Sequence, residues 1–126
     1  MKSVLIIDDD EMVRSMCSQY FERNGYQVET AVNGQDGLDK YRTNPNRVVV
    51  TDVFMPEMDG IEMIHLIKEE FPAAKIIAIS GGSPGTDGPL IPKEEALDFA
   101  DSFGADLILS KPVDLNHLEH SVEAFQ

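Results

Sequence analysis

The sequence predicts an α/β domain: a (βα)5 doubly wound parallel sheet with helices on both faces. Three observations predict it. Five short apolar runs alternate with amphipathic stretches along the 126 residues. Four of the runs are near-continuously apolar, which suits parallel strands buried on both faces. The connections are short, and right-handed crossovers between parallel strands then put helices on both sides.

The elements follow in order. The strand runs are residues 4–7, a weaker one around 28–32, then 48–50, 76–79 and 107–109. Val13, Met16, Cys17, Tyr20 and Phe21 recur at helical spacing, and Gly25 after "ERN" supplies a stop. Leu38 and Tyr41 mark a short second helix opened by Asn33-Gly34. Ile64, Ile67 and Phe71 mark a third that ends before Pro72. Pro92 suits the first position of a fourth, running through Leu97, Ala100 and Phe103 to Gly104. Leu115, Leu118, Val122 and Phe125 mark a fifth, with Asp114 as its N-cap. There is no repeat, low-complexity tract or linker, so residues 1–126 read as one domain.

Composition narrows the function. The formal net charge of −13 disfavours contact with nucleic acid or an anionic membrane. No run of about 18 apolar residues is present, and four apolar residues before "DDDE" are too few for a signal-peptide core. The single cysteine, Cys17, fits a reducing cytoplasm and reads as a small buried hydrophobe.

In a doubly wound sheet, ligands bind beyond the carboxyl ends of the strands. Asp8, Asp9, Asp10 and Glu11 follow the first strand and Asp52 the third. Ser80, Gly81 and Gly82 follow the fourth, and Ser110, Lys111 and Pro112 the fifth. Carboxylates held a few ångströms apart repel unless a cation joins them. Mg²⁺ takes oxygen ligands, commonly one or two carboxylates with waters and a phosphate. No His or Cys stands at a strand end, so zinc is not expected. With the charge neutralised, an Asp52 oxygen can attack a phosphoryl group, with Lys111, the Ser80 hydroxyl and the Gly81 amide on the phosphoryl oxygens. These parts suit an aspartyl-phosphate site.

The motifs "LIIDDDE", "TDVFMPEMDG", "IIAISGG" and "LILSKPVD", in that order, resemble those of a response-regulator receiver domain of two-component signalling, chemotaxis-regulator-like and apparently single-domain. The similarity spans the whole chain. It implies a flavodoxin-like sheet of order 2-1-3-4-5, which sets strands 1, 3, 4 and 5 side by side. It implies that Asp52 is the phosphoacceptor and Asp9 a direct Mg²⁺ ligand. Asp8 would act through a bound water, and the Phe54 backbone carbonyl would complete the metal site, with Mn²⁺ as a substitute metal. Lys111 would pair with Asp52 and then with the phosphoryl group, Ser80 would move toward that group, and the Lys111–Pro112 peptide would be cis. The partners implied are a sensor histidine kinase or histidine phosphotransfer protein, and a downstream protein target. The chain would be a monomer or weak dimer in the cytoplasm. It would not be an enzyme beyond its own phosphorylation and slow autodephosphorylation.

Other residues read more plainly. Asp10 and Glu11 are charges favoured by the first helix's dipole. His65, His117 and His120 are expected at solvent-exposed helix positions; Asp59, Gly60, Met55 and Pro56 shape a turn. Two departures from the family pattern stand out. "GGSPGTDGPLIPKEE" is longer than the usual connection, as a lid, a partner-specific surface or a tolerated insertion. Ile108 stands where an aromatic switch residue is usual. No residues follow the fifth helix, so the expected output is binding another protein or relaying the phosphoryl group. The competing readings are a stand-alone aspartyl-phosphate phosphohydrolase, whose second aspartate position is filled by Phe54, a docking module that is not phosphorylated, and a flavin binder, whose phosphate three acids would repel.

Overall fold

Strands that are apolar on both faces can be buried only between two layers, and helices supply both. The computed structural model describes residues 2–45, 47–52, 60–80, 104–110 and 113–126. Its elements are β1 (Ser3–Ile7), α1 (Glu11–Arg23), β2 (Gln27–Ala31), α2 (Gly34–Thr43), β3 (Val48–Asp52), α3 (Gly60–Glu70), β4 (Lys75–Ser80), β5 (Leu107–Ser110) and α4 (Leu115–Ala124). The sheet order is β2-β1-β3-β4-β5, with every adjacent pair parallel. This is the expected flavodoxin-like topology. The helix expected from Pro92, the loop after Ser80 and the Lys111–Pro112 peptide lie outside the described residues.

Alternation along the strands divides the core into two layers. Leu5, Ile7, Val49, Ile76 and Ala78 face Leu38 and Tyr41 of α2 and Met63, Ile64 and Ile67 of α3. Val4, Ile6, Val48, Val50, Ile77 and Ile79 face Cys17 and Phe21 of α1 and Leu118 and Val122 of α4. Ile108 packs, partly buried, in the α2–α3 layer. Met16 departs from the expected apolar stripe: it is 53% exposed, because the buried face of α1 centres on Cys17 and Phe21. His65, His117 and His120 are exposed, as expected.

Helix ends are chemically specified. Asp114 accepts from the Asn116 N–H at 2.9 Å and caps α4. Asn33 accepts from the Asp36 N–H at 2.8 Å, and Asp36 reaches back to the Val32 N–H at 3.1 Å. The chain leaves α1 through Gly25 at φ +86°, a left-handed conformation that glycine adopts without a Cβ clash.

β3 runs further than its apolar residues. Thr51 and Asp52 stay in the ladder, Thr51 opposite both Ile7 and Ala78 and Asp52 opposite Ile79. The strand is central, so backbone pairing on its two sides holds it extended after its side chains turn polar. Ser80 likewise ends β4 inside the ladder, opposite Ser110.

Candidate functional site

β1 ends at Ile7, but the Asp8 N–H still donates to the Ala31 carbonyl at 3.1 Å. That bond carries the β1–β2 ladder one rung further, and the same rung brings Asp8 beside Asp52 of β3. By alternation both point to the α1–α4 side of the sheet, the side of Ile6 and Val50. Asp8 is 4% exposed and Asp52 6%, while Asp9 stands in solvent between them and the start of α1.

The turn after β1 is held by its own side chains. Asp8 Oδ1 accepts from the Asp10 N–H at 2.9 Å. Asp10 accepts from the Met12 N–H at 2.9 Å and is the N-cap of α1, a more specific role than the dipole-favoured charge expected for it. Arg14 Nη1 donates to the Asp8 carbonyl at 2.7 Å. Sequence reasoning missed Arg14. Its only signal was a cation at the edge of an acidic run, because its bond goes to a backbone atom that no side-chain pattern displays.

Asp8, Asp9 and Asp52 each offer a carboxylate oxygen, and these oxygens all lie within 4.8 Å of one another. The donor set is oxygen only, two buried carboxylates and one exposed. That fits a hard divalent cation with open positions for waters and a phosphoryl oxygen, and it suits zinc poorly. The Asp8 charge is felt in the core as well. Burial first, and the Asp8 carboxylate second, push the Cys17 thiol up to about 11, so it stays protonated in the folded chain.

Of the other expected site residues, Ser80 is placed by its backbone at the end of β4, two strands from β1 on the same edge of the sheet. Phe54, Gly81 and Lys111 lie outside the described residues. A cavity of about 760 Å³ opens at the opposite edge, among Lys2, Tyr41, Arg47, Phe71, Lys75 and Phe125, away from the acids.

Comparison with known proteins gives one consistent result. The family model for the response regulator receiver domain matches residues 4–123. The chain is 31% identical to the response regulator receiver protein CpdR of Brucella abortus, over 98% of this chain and 95% of that protein. It is 33% identical to part of the autoinducer 1 sensor kinase/phosphatase LuxN of Vibrio harveyi, covering 94% of this chain but 13% of that protein. Among solved structures, the CheX-CheY-BeF3-Mg+2 complex from Borrelia burgdorferi includes a chain superposing with a TM-score of 0.82 at 29% identity, over 98% of this chain and 87% of that one. Among the described residues, no helix is long and apolar enough to cross a membrane.

Proposed function

The chain belongs to the response regulator receiver domain family of two-component systems, and from that premise we propose that Asp52 accepts a phosphoryl group and that the modification switches a protein-binding surface. Receiver domains are signalling modules rather than enzymes with turnover of their own, and residues 1–126 act here as one such module. The observation that carries the reading is the gathering of Asp8, Asp9 and Asp52 at the carboxyl edge of adjacent central strands.

In the proposed reaction, a carboxylate oxygen of Asp52 attacks phosphorus in line with the donor's leaving group. The new O–P bond forms as the bond to the donor breaks, and the donor keeps the electron pair. The donor is the phosphoimidazole of a sensor histidine kinase or histidine phosphotransfer protein, and the product is an acyl phosphate. Mg²⁺, or Mn²⁺ in its place, would be held by Asp9, Asp52 and the Phe54 carbonyl, with Asp8 through a water, and would supply neutralisation of carboxylate and phosphoryl charge. The Asp10 N–H fixes Asp8 through Oδ1, and Asp8 so held would orient that water. Lys111 balances Asp52 before transfer and the phosphoryl oxygens after it, with the Ser80 hydroxyl and the Gly81 amide on the remaining oxygens.

The phosphoryl group adds about −1.5 to −2 charges at neutral pH, enough to draw the Ser80 hydroxyl and its following loop toward it and bias a two-state surface. Ile108 has no aromatic rotamer to couple, so the switch runs through the Ser80 loop. Later attack by water returns the carboxylate slowly. The module works in the cytoplasm as a monomer or weak dimer. Its formal charge of −13 supports a protein target rather than nucleic acid or membrane.

The test is incubation with Mg²⁺ and acetyl phosphate, or with beryllofluoride, read by intact mass and by amide NMR. One Mg²⁺-dependent adduct is expected, absent in Asp52→Ala. An adduct that survives Asp52→Ala, or none in the wild type, overturns the proposal. Rapid multiple turnover of small phosphate esters would replace it with a phosphohydrolase.

A further inference from the structure

Asp9 is the exposed member of the acid cluster, and its carboxylate has no hydrogen-bond partner among the described residues. Its direction is therefore set by its backbone. Two side-chain bonds pin that backbone, one on each side. The peptide before Asp9 is fixed at its carbonyl, where Asp8 O accepts from Arg14 Nη1 at 2.7 Å. The peptide after Asp9 is fixed at its N–H, where Asp10 N donates to Asp8 Oδ1 at 2.9 Å. Asp8 in turn is tied to β2 through its own N–H. Of these bonds, only the one from Arg14 links the body of α1 to the turn.

We propose that Arg14 is a positioning residue for the divalent-cation site: by holding the Asp8–Asp9 peptide it aims the Asp9 carboxylate at the position shared with Asp8 and Asp52. This rests on the cluster binding a divalent cation, as proposed above. Arg14 does not touch the metal. A charge-assisted bond to a carbonyl is strong and directional, and the half-buried guanidinium keeps it out of competition with bulk water. Through-space electrostatics act in the opposite sense. A cation beside the site repels Mg²⁺, so removing its charge alone would tighten binding. The sign of the effect therefore separates positioning from charge.

The experiment measures Mg²⁺ affinity of the intact chain from amide NMR shifts, with no phosphoryl donor present. Arg14→Met is expected to weaken Mg²⁺ binding about tenfold, the low end for loss of a group that orients a metal ligand. Arg14→Lys, which keeps the charge and an N–H donor, is expected to recover most of that loss. In an Asp9→Asn background, Arg14→Met should add no further loss, because the ligand it aims is gone. Arg14→Leu makes the same comparison if the Met variant does not fold. Unchanged or tighter Mg²⁺ binding in the charge-removing variant overturns the inference, as does an equal further loss in the Asp9→Asn background. A wild-type chain that binds no Mg²⁺ overturns the site reading itself, and this inference with it.

Discussion

The two edges of the sheet use charge in opposite ways. At the amino edge, cations are matched to acceptors. Arg47, 7% exposed, bonds Glu29 and the Asn44 and Lys40 carbonyls. Lys2 pairs with Glu123 at 3.1 Å, and Lys68 with Asp106 at 2.9 Å. At the carboxyl edge, three carboxylates are brought within 4.8 Å of one another. Charge that serves the fold is spread into complementary contacts. Charge that serves a ligand is concentrated, at a cost to the unliganded fold that the ligand offsets. Perturbing the amino edge should therefore lower stability without changing Mg²⁺ affinity, and neutralising an exposed acid should weaken Mg²⁺ binding while slightly stabilising the metal-free chain.

The largest effect is expected at Arg47. Arg47→Met removes a buried guanidinium from the Asn44 and Lys40 carbonyls, the second of which keeps the Asn44 N–H, and takes away the partner of Glu29, which is itself partly exposed. We expect a loss of about 2–3 kcal/mol in urea unfolding, below the full value for a buried pair because Glu29 remains solvated. Mg²⁺ affinity should stay within about twofold of wild type, since distant sites are close to additive. A large change in Mg²⁺ affinity would break the separation of the two edges.

Gly37 tests how firmly the carboxyl edge is packed beneath its acids. A Cβ there would lie 2.9 Å from Ile7 Cγ1 and closer still to Cδ1, and Ile7 is the buried residue just before Asp8. Gly37→Ala gains in helix propensity but overpacks this contact, for a net loss of about 1–2 kcal/mol by thermal unfolding. Mg²⁺ affinity should fall with it, because Ile7 carries Asp8. Lost stability with unchanged affinity would show that the acids are positioned independently of the packing below them.

The comparison between edges also shows what was legible in the residues alone. Period and apolar runs mark the five strands and the four described helices, since burial on both sides forces that pattern. Asp8, Asp9 and Asp52 are legible because each sits where an apolar run stops. The third strand's true end was not: Thr51 and Asp52 stay paired because neighbours flank the central strand, a tertiary fact. Asp10 as a cap, Arg14 on a carbonyl and Arg47 buried under a turn were also invisible. Each acts on backbone groups, and a sequence displays side-chain types without showing which backbone atoms remain to be satisfied.

Cys17 reports the carboxyl edge from inside the core. Its thiol is held up to about 11, by burial and then by the Asp8 carboxylate. The unfolded thiol ionises near its ordinary value while the folded one does not, so the unfolded chain binds fewer protons between about pH 9 and pH 11. Stability from this group is complete below about pH 9 and is lost as pH rises toward 11, by about 1.4 kcal/mol per pH unit within that window. Cys17→Ala should flatten the alkaline limb between about pH 9 and 10, below the window of Tyr26, which burial lifts to about 12. An unaltered limb would mean that the folded core does not hold the Cys17 thiol protonated.

The smallest effect is the most discriminating. Asp9→Asn removes one carboxylate from the cluster while leaving a side chain of the same shape. Without metal, relief of repulsion should stabilise the chain slightly, by about 0.5 kcal/mol, because Asp9 is exposed and well screened. With Mg²⁺ in excess the order inverts: the wild type gains stability from binding, by an amount that grows with the logarithm of concentration, and the variant gains less. Urea unfolding of both proteins in chelator and then in a Mg²⁺ series should therefore give curves that cross. If the variant were the less stable protein in chelator too, the acids would not be repelling one another. The contrast between a paired amino edge and a concentrated carboxyl edge would then be one of geometry alone.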